Sequence, residues 1–129
     1  MRPSRCRSPI RPCGWGATAP GAFRRVVTLG DGWHATSKTP AEFEEAAGRL
    51  RKAADAAGRP FETIELSLRF ALKDDLLAQG APAVIDALAA YARVGCRHVM
   101  LEFRRDDLAR MLDILEMVTS RVQPALAAA

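Results

Sequence analysis

The stretch Leu29-Gly30-Asp31-Gly32-Trp33-His34 decides how this chain folds, because a helical pattern gives way to a strand inside it. Upstream, Pro20 to Leu29 reads as a helix, carrying the basic amphipathic run Phe23-Arg24-Arg25-Val26-Val27-Thr28. Gly30 stands where a helix C-terminal glycine belongs. Downstream, Gly32 to Ala35 reads as a short strand, with Gly32 expected to permit a backbone turn. Further upstream lie a weak strand around Arg11 to Trp15 and a small-residue loop, Gly14 to Pro20.

The alternation continues toward the C-terminus. Thr39 is placed as an N-cap, Pro40 as the first helical residue, and Glu42 as the partner that closes a capping box. Phe43, Ala46, Ala47, Leu50, Ala53, Ala54 and Ala57 then form one apolar face, and Gly58 stops the helix. Thr63 to Leu72 reads as a strand, since Ile64, Leu66, Leu68 and Phe70 alternate with Thr63, Glu65, Ser67 and Arg69. A loop through Lys73, Asp74 and Asp75 leads to a helix from Pro82 to Val94, ended by Gly95. Its buried stripe is Val84, Ile85, Leu88, Tyr91 and Ala92. His98 to Phe103 is the last strand. Asp106 or Asp107 caps a final helix whose Leu108, Met111, Leu112, Leu115, Val118 and Val122 are expected to face inward, and Pro124 is expected to end it. The fold class is therefore α/β, with four consecutive βα units and a parallel sheet.

Bulk properties narrow the function. The 129 residues suit one domain, with 49% hydrophobic and 26% charged side chains. No apolar run reaches the length of a membrane helix. The net charge of +4 is uneven: six arginines and no acid lie in residues 1–30, and the other 13 bases and all 15 acids follow. Residues 1–11 are thus expected to be a basic, disordered segment, and residues 127–129 a frayed tail. The segment has no apolar core for a secretory signal. It lacks aromatic interleaving or any recognised nucleic-acid motif, so nucleic acid is not an expected partner. Cys6, Cys13 and Cys96 have neither disulfide-framework nor zinc spacing, no metal motif is present, and a reducing, cytoplasmic location fits.

Candidate chemistry sits at strand ends. The Gly14–Pro20 loop joins a strand to a helix N-terminus, where free amides and the helix dipole suit a phosphate. An ordinary βα turn has the same composition, and this GxG is too short for a dinucleotide fingerprint. Trp33 is read as core packing before a ring-stacking platform, and His34 as a structural or rim residue before a base. Arg69 and Glu102 lie on the polar sides of sequential strands and are expected to pair, with Ser67 and Glu65 deeper and His98 and Met100 on the same face. A structural pair is favoured over a catalytic one. Lys73, Asp74, Asp75, Arg104, Arg105, Asp106 and Asp107 follow the strands' C-terminal ends, the rim where barrel active sites lie.

Taken together, the small-residue turn, Leu29 to Trp33, Ile64-Glu65-Leu66-Ser67 and Val94-Gly95-Cys96-Arg97-His98-Val99-Met100-Leu101-Glu102-Phe103 resemble the second half of luciferase-like monooxygenases. That family uses FMN or the deazaflavin coenzyme F-420 on a (βα)8 barrel. The resemblance implies that residues 12–126 form the C-terminal half of such a TIM-type barrel. It also implies that Gly16, Ala17 and Thr18 hold the cofactor phosphate. Here Ala17 stands where the family has a second glycine, and Cys13 and Gly14 replace apolar strand formers. No catalytic residue is assigned.

A full barrel needs roughly 250 residues. A half barrel exposes its interior face and two strand edges. It is expected to pair with a second copy or with a missing N-terminal half. The implied function is a fragment of a flavin- or deazaflavin-dependent oxidoreductase contributing the phosphate end of the site. The alternative is a catalytically inactive half-barrel remnant or a protein-interaction module.

Overall fold

A computed structural model describes residues 14–16, 20–36, 38–103 and 107–128. Four parallel strands form one sheet in sequence order: β1 (Gly14–Gly16), β2 (Gly32–Thr36), β3 (Glu65–Ala71) and β4 (His98–Glu102). Each is followed by helix: α1 (Pro20–Leu29), α2 (Pro40–Ala56), the short α3 (Asp74–Ala78) with α4 (Ala81–Arg93), and finally α5 (Leu108–Met117) with α6 (Gln123–Ala127). Strand order that never reverses sends every crossover to the same side of the sheet. This is the winding of half a (βα)8 barrel and not of a doubly wound sheet, whose order reverses at a switch point.

The buried side of the sheet carries Trp33, Ala35, Leu66 and Leu68, with Phe70, Val99 and Leu101 partly buried. An aromatic chain ties the units together. Phe23 of α1 meets Trp33 at 5.9 Å between ring centroids, Trp33 meets Phe43 of α2 at 5.3 Å, and Tyr91 of α4 meets both Phe43 and Phe70. The Tyr91 hydroxyl also donates to the Lys38 carbonyl at 2.6 Å, which fastens the third unit to the loop after β2. A second cluster under β3 and β4 joins Leu72, Leu77, Val84, Leu88, Ile114 and Val122.

The expected capping box is present: Thr39 N–H donates to Glu42 Oε2 at 2.8 Å, and Glu42 N–H to Thr39 Oγ1 at 3.3 Å. Asp107 caps α5 through Ala109 N–H. Gly58 and Gly95 take the left-handed backbone at the ends of α2 and α4.

Other expectations are corrected. Residues 61–63 form a 3₁₀ turn, so β3 begins at Glu65 and not at Thr63. Asp74 and Asp75 open α3 and are not loop. The last strand ends at Glu102, before Phe103. Gly32 makes no turn. It lies within β2 opposite Glu65, and an added Cβ would come 2.7 Å from the Glu65 carbonyl oxygen. The role of this glycine is close approach between strands.

The end of α1 is satisfied by a distant side chain. Arg59 Nη1 donates to the carbonyls of Val26 (3.0 Å), Val27 (3.0 Å) and Gly30 (2.7 Å), and Arg59 Nε donates to Thr63 Oγ1 at 3.0 Å. A cation on the last carbonyls complements the negative end of the helix dipole.

Pro124 does not end the final helix. Residues 118–122 open into a π turn in which Gln123 N–H reaches the Val118 carbonyl, and α6 continues through Pro124. Proline normally collides with the carbonyl four residues before it, and the wider turn makes room. Ala57 and Ala92 are exposed and do not join the buried stripes. On α5, Ile114 is buried, but Leu108, Leu112 and Leu115 are 68%, 56% and 45% exposed and do not face inward.

Candidate functional site on the open face of the sheet

The second face of the sheet bears no helix among the described residues. Alternation places His34 and Thr36 of β2 there, with Glu65, Ser67, Arg69 and Ala71 of β3 and His98, Met100 and Glu102 of β4. In a closed barrel this face is the interior. Register sorts these side chains into rows. Gly16, His34, Ser67 and His98 lie side by side, and Thr36, Arg69 and Met100 form the next row toward the strands' C-terminal ends.

Within the first row His34 Nδ1 lies 2.9 Å from Ser67 Oγ, and Ser67 Oγ lies 3.3 Å from the Trp33 carbonyl. When the single serine hydrogen goes to that carbonyl, Nδ1 donates to Ser67 and Nε2 carries the lone pair. Burial lowers the His34 pKa from 6.5, and the nearby His98 and Arg69 lower it further. The imidazole is therefore neutral at pH 7. The sequence reading of His34 named no partner. Its partner is a hydroxyl, found from the register of two strands.

The expected Arg69–Glu102 pair forms, with Arg69 Nε 3.3 Å from Glu102 Oε2 and both side chains about half exposed at 46% and 48%. At that exposure the pair adds little to stability. It fixes the charge pattern at the C-terminal end of the face. Glu65 lies opposite Gly32, at the opposite end. His98 and Met100 share the face, as expected, and both are exposed.

Trp33 points away from this face and is fully buried, so its role is packing. Cys96 is buried too, and burial pushes its thiol up to about 11. It is inert as a nucleophile at neutral pH. Of the phosphate-site residues, Gly16 ends β1 beside His34, and Ala17 and Thr18 lie outside the described residues. So do residues 1–11, Cys13 and the rim residues Arg104, Arg105 and Asp106. Past Gly16 the next described residues are those of α1, whose first turn holds no acid and whose Arg24 and Arg25 are exposed.

Among the described residues no group of three or more His, Cys, Asp or Glu is placed to hold a metal ion. Nor is any helix among them long and apolar enough to cross a membrane. A separate groove of about 540 Å³ lies at the other end of the strands, between α2 and α4, lined in part by Arg51, Phe61, Arg93 and Arg97. Arg51 stacks over Phe61 there at 4.6 Å.

Solved structures share this fold. The coenzyme F-420 dependent tetrahydromethanopterin reductase from Methanopyrus kandleri superposes with a TM-score of 0.69 at 14% identity, over 89% of this chain and 51% of that one. An F-420-dependent secondary alcohol dehydrogenase, solved with an F-420–acetone adduct, superposes with a TM-score of 0.67 at 13% identity, over 88% and 48%. This chain spans about half the length of each. No family model matches it, and no curated protein matches it in sequence.

Proposed function

We propose that this chain is one half of a luciferase-like, deazaflavin-dependent oxidoreductase barrel, supplying the wall that holds the cofactor's phosphate end. The observation that carries the reading is the open sheet face. It is polar, its first strand precedes an acid-free helix start, and no helix among the described residues covers it. Both structural relatives are named for their dependence on F-420, which favours the deazaflavin over FMN.

The residues fit a phosphate-bearing cofactor at one end and a flat ring along the face. Gly16, Ala17 and Thr18 would receive the phosphate, with backbone amides and the α1 dipole supplying the attraction. The bound deazaflavin would supply two-electron chemistry. The protein's share is to orient the ring, and His34, Ser67 and Arg69 are the groups that line the adjoining face.

The test is a titration of the purified protein with coenzyme F-420 and with FMN, followed by fluorescence alongside the oligomeric mass. Saturable binding of F-420 that is lost in Ala17→Asp, which sets an acid in the phosphate turn, supports the proposal. A folded protein that binds neither cofactor overturns it and leaves an inactive half barrel.

A further inference from the structure

The sheet and its last long helix are both incomplete on the same side. Among the described residues β4 is an edge strand with unpaired backbone groups. Behind it, α5 carries an apolar arc that the described residues cover only in part. At 3.6 residues per turn the arc from Ile114 through Met111 and Leu115 to Leu108 and Leu112 spans roughly 160°. Ile114 is buried and Met111 partly so, whereas Leu108, Leu112 and Leu115 are exposed. Exposed Asp113 and Glu116 flank the leucines. At the opposite edge β1 is unpaired on its outer side among the described residues, and α1 presents exposed Arg24, Arg25 and Leu29.

We propose that a second copy of this chain covers these leucines, with β4 of each copy pairing to β1 of the other to close eight strands around a two-fold axis. This deepens the reading of the chain as half a barrel and rests on it. Geometry and charge select a second copy as the occupant. Closing the sheet sets α5, which follows β4, beside the partner's α1, which follows β1. The facing helices are then complementary, acids beside leucines on one and two arginines beside Leu29 on the other. The sheet's open face contributes little apolar surface, with Met100 its one large exposed hydrophobic side chain among the described residues. The driving force is therefore at α5 and the strand edges.

Light scattering and native mass spectrometry of the purified chain are the test, with circular dichroism to check folding. The expected mass is twice the 14.0 kDa of one chain. Leu112→Glu with Leu115→Glu should return it to one chain with the helical signal retained. A charge-reversal set probes the contact without touching the apolar surface. Asp113→Arg with Glu116→Arg should weaken the dimer about tenfold. Arg24→Glu with Arg25→Glu should do the same, and the fourfold variant should restore it. A folded wild-type monomer, an open-ended aggregate, or a dimer indifferent to the charge reversals overturns the proposal. Cofactor binding is read separately. A dimer that binds no F-420 removes the cofactor reading alone, and a monomer that binds it removes the dimer alone.

Discussion

His34 Nδ1 and Ser67 Oγ meet at 2.9 Å across the β2–β3 ladder, on the side of the sheet that no helix among the described residues covers. A partly buried imidazole is thus held by one neighbouring strand and crowded by a second imidazole, His98, and by the Arg69 guanidinium. The arrangement keeps it uncharged, and its titration is the most direct report on the open face.

An NMR titration of His34 should give a midpoint below 6.5. Because the folded pKa is depressed, the unfolded chain binds the proton more readily. The stabilisation is complete above pH 6.5 and declines as pH falls through the folded midpoint. Arg69→Gln should raise the midpoint by removing one positive neighbour, while burial still holds it below 6.5. A midpoint at or above 6.5 in the wild type would contradict the geometry.

Arg59→Met should cost about 2 kcal/mol in urea unfolding, the scale of hydrogen bonds made by a charged donor. It removes the donor to Val26, Val27 and Gly30 at once. Arg59→Lys should recover only part of this, because an ammonium cannot reproduce the guanidinium fork. Equal stability of Lys and Arg would show that charge alone secures the end of α1.

Gly32→Ala should lower stability by about 1–3 kcal/mol, the usual cost of forcing an extra carbon into a packed site. The strand partner is backbone, the Glu65 carbonyl, and cannot step aside as a flexible side chain would. Thermal melting of the two proteins side by side checks this, and an unchanged midpoint would mean that the strands separate freely here.

Cys96 should resist alkylation in the folded protein at pH 8 and react at once after unfolding. Its thiol is buried, shifted up to about 11, and donates toward the His98 carbonyl at 3.4 Å. Peptide mapping after iodoacetamide treatment separates it from Cys6 and Cys13. Fast labelling of Cys96 in the native state would indicate opening of the sheet near β4.

Local signals made much of this fold legible. The Thr39–Glu42 box, the limits of α1 and the strand–helix alternation are decided within a few residues, so the sequence displays them directly. The Arg69–Glu102 pair was also readable, since alternation fixes the face and sequential strands neighbour one another. What escaped depends on distant groups. Nothing near Gly30 reveals that Arg59 completes its helix, and nothing near His34 reveals Ser67 until register is known. The leucines of α5 show another limit. Periodicity identifies an apolar arc but not how much of it the same chain can cover. Pro124 misled for a related reason, because a π turn upstream removes the collision that ordinarily stops a helix.

Strands that pair only with their neighbours in sequence give this protein the logic of a linear array. Among the described residues β3 is bordered on both sides, while β1 and β4 each have one free border. Amide hydrogen exchange should therefore show a gradient, slowest at Leu66 and Leu68 and faster toward either end. Such a chain opens by fraying from its borders inward, and an added strand at either border would slow exchange throughout the sheet.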